Sequence, residues 1–280
     1  MIELGKIQTL YIDHETDFGV YLCEKDDLGK RGECILLPRK QVPMEARREG
    51  PVQVFVYRDS DDRLIATTNM PALTLGELAE LEVAEVNQVG AFMKWGLEKD
   101  LLLPYSEQTV KVKKGDRYLV ALYTDKSNRL CATMKVYDYL KTWPQYEAEN
   151  RVRGIVYGKN PKYGVFVAVD GKYNAMIPTK EVIRNLRIGD HVEARVLEVR
   201  TDGKLNLSLR EKGYLQMDVD SGRIMEKLEA HGGFLPYHDK SSPEEIREEF
   251  GMSKNEFKRA IGRLYKDRKI VITSEGIKKV

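Results

Sequence analysis

Cysteine, histidine and long apolar runs are all scarce in this chain of 280 residues. The three cysteines, Cys23, Cys34 and Cys131, are odd in number and show no metal-ligand spacing. We read them as reduced thiols packed as small hydrophobes, the state expected in the cytosol. The four histidines, His14, His191, His231 and His238, are scattered. No run is long enough to span a bilayer, and Met1-Ile2-Glu3 leads straight into a strand pattern rather than a signal-like segment. A Walker loop, G-x-S-x-G, H-E-x-x-H and any Cys/His cluster are all missing. No stretch is left over for a catalytic domain, and nothing resembles a coiled coil. The expectation is a soluble, cytoplasmic, monomeric protein that is not an enzyme and has no cofactor, metal or membrane contact.

What is present is repetition. Phe18-Gly19-Val20-Tyr21, Val89-Gly90-Ala91-Phe92 and Tyr163-Gly164-Val165-Phe166 open three copies of one pattern, their glycines 71 and 74 residues apart. Each is followed by an apolar-apolar-Pro step ending at Pro38, Pro104 or Pro178, then a glycine-led turn and a strand-like run. A last turn carries Arg63, Arg129 or Lys204, with a hydroxyl four positions later at Thr67, Thr133 or Ser208. The period is too long for a solenoid and suits small independent barrels. Runs such as Val52–Tyr57 and Val192–Val199 alternate with period two, and Asp59-Ser60-Asp61-Asp62 and Thr201-Asp202-Gly203 are turn compositions. The spacing predicts three five-stranded barrels of the OB type, over 1–70, 75–137 and 148–212. The aromatic connector Tyr137–Pro144 is expected to pack on a domain rather than swing freely.

Beyond Lys212 the period becomes helical. A helix is expected over Gly222–His231, and Ser242-Pro243-Glu244-Glu245 starts another that stops at Phe250-Gly251. Ser253 caps a third, from Lys254 to about Lys269, before a hairpin of Ile270–Thr273 and Ile277. These elements make a winged helix over 218–280. The fold class is therefore multidomain and mainly β, with three barrels followed by an α+β winged helix.

A net charge of +2 hides segregation: residues 1–150 carry 20 basic against 25 acidic side chains, residues 151–212 carry 13 against 7, and 253–280 carry 9 against 3. Positive potential gathered on one surface suits a polyanion. Aromatics flanking a barrel glycine can stack on successive bases. Strand parity, however, puts positions i and i+3 on opposite faces unless a bulge intervenes, so one of each pair serving as core is the alternative.

The strings Tyr-Gly-Val-Phe-Val, Met-Ile-Pro, Gly-Asp-His-Val-Glu-Ala-Arg-Val-Leu-Glu-Val and Gly-Lys-Leu-Asn-Leu-Ser-Leu-Arg resemble the S1-type RNA-binding domain. The third copy matches throughout and the first two are divergent. Three such domains and a winged helix resemble the conserved virulence factor B family of Gram-positive bacteria over essentially the whole chain. The resemblance implies an RNA-binding regulator whose third barrel and winged helix carry much of the binding. It places surface aromatics at Tyr163 and Phe166, Phe18 and Tyr21, and Phe92 alone. It places the acid–base pair of the last turn at Asp59 and Arg63, and at Asp125 and Arg129; in the third copy these positions are Arg200 and Lys204, a cation replacing the acid. The S1 histidine is replaced by Pro38, Pro104 and Pro178. Lys159 and Lys162 are expected to add phosphate contacts, and Lys254, Lys258, Arg259 and Arg263 to form the nucleic-acid face of the winged helix. The expected partner is single-stranded RNA, with ribosome or RNA-decay proteins as further partners. A DNA-binding transcription regulator led by the winged helix and a protein-binding adaptor are the rival readings.

Overall fold

The computed structural model describes the chain apart from Arg31, 46–48, Ser60 and 211–212, and apart from the side chains of 213–216 and Asp218. Ser60 of the expected first-barrel turn, and the last two residues of the expected third module, thus lie outside the described residues. The described residues form two compact units, Met1–Leu209 and Arg210–Val280.

The first unit holds three five-stranded sheets. β1 (Ile7–Thr16), β2 (Gly19–Cys23), β3 (Ile35–Pro38), β4 (Pro51–Arg58) and β5 (Leu64–Thr67) close into a barrel in the order β1-β2-β3-β5-β4. In the second sheet, β6 (Leu78–Val86), β7 (Gly90–Lys94), β8 (Leu101–Pro104), β9 (Arg117–Thr124) and β10 (Leu130–Thr133) run in the order β10-β9-β6-β7-β8. The third closes again, with β11 (Arg151–Asn160), β12 (Gly164–Val169), β13 (Tyr173–Pro178), β14 (His191–Val199) and β15 (Leu205–Ser208) in the order β11-β12-β13-β15-β14. Alternating side chains fill each interior, for example Val165, Val167, Val169, Ala175 and Ile177 in the third.

The repeated landmarks turn out to be parts of one architecture. A β-carbon on Gly19, Gly90 or Gly164 would lie 2.0, 2.4 or 2.0 Å from the carbonyl oxygen of Leu37, Leu103 or Ile177, the residue preceding each repeat proline. All three glycines also have positive φ, between 132° and 156°, which L side chains rarely adopt. The same arrangement recurs in the winged helix, where a β-carbon on Gly276 would lie 2.0 Å from the Leu235 carbonyl. The repeat hydroxyls are buried. Thr133 Oγ1 donates to Glu107 (2.7 Å) and Ser208 Oγ to Glu181 (2.6 Å), each tying the last strand to the 3₁₀ turn after the proline.

The cysteines correct the sequence reading. Cys23 and Cys34 form a disulfide rather than two free thiols. Antiparallel pairing puts Leu22 opposite Ile35, so the next pair outward is Cys23 and Cys34, with Cα atoms 4.5 Å apart. Cysteine usage therefore no longer argues for a reducing compartment. Cys131 is free and buried, and burial pushes its thiol up to about 11.

Side chains also bridge neighbouring barrels of this unit. Phe55 of β4 is buried in the second core, with its ring 5.7 Å from Trp95 in an edge-on contact. His191 Nε2 lies 2.7 Å from Glu80 Oε1, beside an apolar cluster that includes Leu119, Val136, Leu140, Ile155 and Tyr157.

The second unit contains α1 (Gly213–Ala230), β16 (Phe234–Leu235), α2 (Pro243–Phe250), α3 (Lys254–Lys266), β17 (Ile270–Ile272) and β18 (Ile277–Lys279). Both expected starts, Ser242 with Glu245 and Ser253 with Glu256, are complete capping boxes. Two details differ from the sequence reading. α1 begins well before Gly222, and α3 ends at Lys266, where Arg268 takes a left-handed turn (φ 57°) into β17. Strand β16 completes a three-stranded wing sheet in the order β16-β18-β17.

Candidate nucleic-acid interface

In the third barrel, Tyr163 occupies the turn before β12. Asn160 Oδ1 accepts the backbone N–H groups of Lys162 (2.9 Å) and Tyr163 (3.3 Å), which fixes that turn. Tyr163 is 53% exposed, and the Lys162 ammonium stands 5.4 Å from its ring centroid. No bulge lies between Tyr163 and Phe166: the register shift of this strand pair is in β11, between Val156 and Gly158, and Tyr163 stands in the turn outside β12, where strand parity does not apply. Phe166 pairs with Gly158 on one side and Met176 on the other, and Met176 pairs in turn with Asn206. Phe166 thus begins an outward-facing row across three strands.

Phe166 is half-buried. Its ring lies 6.0 Å from that of Tyr157, whose hydroxyl pKa is raised by burial. A groove of about 400 Å³ opens beside it, lined also by Lys135, Tyr137 and Lys159. Lys159 is exposed but its ammonium is engaged, donating to the Leu186 carbonyl and to Asn185 Oδ1 (3.3 Å). Arg200 and Lys204 share one partner, Asp202, at 3.3 and 3.1 Å. The acid that the repeat position lacks is therefore supplied two residues later. Burial alone would raise the Asp202 pKa, but hydrogen bonds from Lys204 and the two cationic charges hold it below the usual carboxylate value.

The first two barrels use the equivalent residues differently. Phe18 is 77% exposed in its turn, and Val89 takes that place in the second barrel at 59%. Tyr21 is half-buried and stacked on His14, ring centroids 4.8 Å apart, because the two residues pair across β1 and β2. Phe92 is half-buried opposite Leu102. Arg63 is bound by Asp59 and Asp61, each at 2.8 Å. Asp125 instead holds its own turn, accepting from the Ser127 (2.8 Å) and Arg129 (2.9 Å) backbones.

In the winged helix, α3 buries Phe257, Ala260, Ile261 and Leu264 and leaves Lys258, Arg259 and Lys266 exposed on the opposite face. Lys254 is half-buried with its ammonium 3.4 Å from the Lys240 carbonyl, and Arg263 is half-buried 3.9 Å from Asp267. Lys266 belongs to this face more than Lys254 does, a distinction that helical angle could have supplied.

Among the described residues, the group with metal-like proximity is Asp13, Cys23 and Cys34, and two of its three members are already joined to each other. No helix among the described residues is long and apolar enough to cross a membrane.

Comparison with known proteins gives a consistent picture. The model of the S1 domain matches residues 4–69 and 75–135, that of the virulence regulatory factor CvfB second domain matches 140–211, and that of the CvfB-like winged helix domain matches 222–278. The third barrel, which reads closest to the S1 pattern, is thus taken by a model of its own. An uncharacterized protein, YitL, of Bacillus subtilis is 34% identical over 95% of this chain and 90% of its own length. Conserved virulence factor B of Staphylococcus saprophyticus is 32% identical over 89% of this chain and 87% of its own. A Streptococcus pneumoniae crystal structure, described as a multidomain protein with nucleic acid binding domains, superposes with a TM-score of 0.52 at 27% identity, covering 99% of this chain and 98% of that one.

Proposed function

This chain belongs to the conserved virulence factor B family, and from that premise we propose that it is an RNA-binding regulator. It takes single-stranded RNA on its third barrel and winged helix and acts on gene expression after transcription, virulence genes included. It works as a monomer in the cytoplasm, where ribosomal or RNA-decay proteins are its further partners, and it has no catalytic role. The observation that carries this reading is the exposed Tyr163 with the Lys162 ammonium 5.4 Å from its ring centroid, at the rim of the barrel that also bears Phe166, Arg200 and Lys204. An aromatic face beside unburied cations suits a base and its phosphate, and such stacking contributes about 1–3 kcal/mol per base. Phe18, Tyr21, Phe92, Arg63 and Arg129 give the first two barrels a weaker share. Linked modules then raise avidity by effective concentration.

Anisotropy titration of a labelled single-stranded RNA tests the reading, with duplex DNA as competitor at two salt concentrations. Binding that weakens with salt, and falls by more than about 1 kcal/mol in Tyr163→Ala, supports it. Equal binding by Tyr163→Ala removes the third-barrel site. A second reading, duplex DNA held by the winged helix, is favoured by the exposed Lys258, Arg259 and Lys266 face of α3. It predicts that duplex DNA competes best and that Lys258→Ala/Arg259→Ala abolishes the competition.

A further inference from the structure

The connector between the second and third barrels is clamped to the third by its backbone. The Lys141 N–H donates to the Lys172 carbonyl (2.8 Å), the Asn174 N–H to the Lys141 carbonyl (2.9 Å), and the Trp143 N–H to the Gly203 carbonyl (2.8 Å). Val136 and Leu140 are buried and anchor it. Trp143 is different: it leaves 67% of its surface in solvent. A tryptophan used only as an anchor would bury its ring, since that apolar area is its main contribution to packing.

Trp143 is nonetheless held in a defined place. A β-carbon on Gly203 would lie 2.7 Å from each of three indole ring atoms, Cδ2, Cε2 and Nε1. Three equal distances mean that the ring presents its face to the glycine, leaving the other face outward. Trp143 also adopts a left-handed φ of 57°, an uncommon backbone state for a bulky side chain. Gly203 sits in the β14–β15 turn between Arg200 and Lys204, so the indole lies beside two cations that share the Asp202 carboxylate. On the same turn, the Lys204 ammonium stands 5.3 Å over the Tyr137 ring, and Tyr137 followed by Asp202 raises its pKa.

We infer that the outward face of Trp143 is a second base-stacking platform, on which a nucleobase of single-stranded RNA rests while Arg200 and Lys204 take an adjoining phosphate. The site rests on the RNA-binding reading above but is separate from Tyr163, being built by the connector and the β14–β15 turn. Backing by a glycine backbone makes the ring rigid, so little side-chain entropy is lost when a base settles on it. The charge beside it suits the phosphate of the same nucleotide.

The chain has two tryptophans, and the other, Trp95, is buried (4% exposed). Quenching of tryptophan emission by bound RNA therefore reports on Trp143, against a constant background from Trp95. The full-length protein is titrated with an unlabelled mixed-sequence single-stranded RNA, following emission, and in parallel with a labelled copy, following anisotropy. The expected result is quenching at saturation that disappears in Trp143→Phe. Trp143→Phe, which keeps a ring, should hold most of the affinity, while Trp143→Ala should lose between about fivefold and a hundredfold. If anisotropy reports binding but emission is unchanged and Trp143→Ala binds like the parent, the platform is overturned while the RNA-binding reading stands. If Trp143→Ala weakens binding and Tyr163→Ala does not, the platform stands and the Tyr163 site falls. Failure of the parent protein to bind RNA overturns both.

Discussion

The Arg129 guanidinium of the second barrel lies 3.6 Å from the Asp62 carboxylate of the first, and Arg58 returns the contact by donating to the Asn128 carbonyl at 3.1 Å. The last turns of these two barrels thus meet, and the cation that the repeat places at a binding surface is directed at a neighbour. Exposed pairs of this kind contribute little to stability, yet they set where the charge points. Arg129→Ala should flatten the salt dependence of RNA binding only slightly, because its cation is already turned towards Asp62. Arg200→Ala/Lys204→Ala should flatten the slope of log K against log salt by about 0.7 for each phosphate that is no longer neutralised. Titrations at four salt concentrations would separate the two variants.

Asp202 has a folded-state pKa below its ordinary value, so its ionised form is favoured by folding. The linked stabilisation is fully present above the unfolded carboxylate range near about 4 and is lost as pH falls through the lower folded value. An NMR titration of the Asp202 carboxyl should find its midpoint below that of an unstructured aspartate. Asp202→Asn removes the shared partner of Arg200 and Lys204, and RNA affinity at low salt should rise. A fall in affinity would mean that the carboxylate positions the cations for binding.

Gly164→Ala should be among the most damaging single-methyl additions in the third barrel. Its new β-carbon would press on the Ile177 carbonyl, and the positive φ adds strain. A loss of about 2–4 kcal/mol is expected in urea unfolding of the first unit. Gly222→Ala is the control. It sits within α1 with open space around the position and should be neutral or stabilising.

Thiol alkylation should count the cysteines in steps. The untreated protein should react at none, because Cys131 is buried and its thiol is pushed up to about 11. Denaturant without reductant should expose one reactive thiol, and denaturant with reductant three, since Cys23 and Cys34 are joined. Three reactive thiols without reductant would restore the expectation of reduced cysteines.

Much of this architecture was legible because it rests on short-range rules. Period-two strands, the glycine–proline landmarks and the caps at Ser242 and Ser253 are all local, and the barrels and winged helix follow from them. What escaped depends on long-range registry. The Cys23–Cys34 bond follows from strand pairing, which spacing alone does not reveal. Asp202 lies outside the repeat position, which holds Arg200, because the turn admits an acid at either place. The early start of α1 was hidden by Gly222, a poor helix former mid-helix. Burial of Asp220 and Ser221, with Ser221 Oγ set 3.4 Å from the Ala260 carbonyl, shows tertiary contacts outweighing that propensity. For the surface residues, the sequence supplied chemistry but no partners: Tyr163 and Lys159 read alike as binding candidates and both are exposed, yet the Lys159 ammonium already donates to the Leu186 carbonyl.

The glycine seated over a carbonyl beside a proline occurs at Gly19, Gly90 and Gly164, and again at Gly276 over Leu235-Pro236. The fourth case lies in a sheet that is no barrel, and there the proline comes before the glycine in the chain. The repeat pattern does not include this reversed case, whereas sterics cover all four: where a strand leaves a turn this close to its neighbour's carbonyl, a β-carbon has no room. That pairing is therefore not by itself a mark of the repeat. The kinship of the three barrels has to be argued instead from strand order, the first-strand bulge and the buried hydroxyl, which the wing does not share.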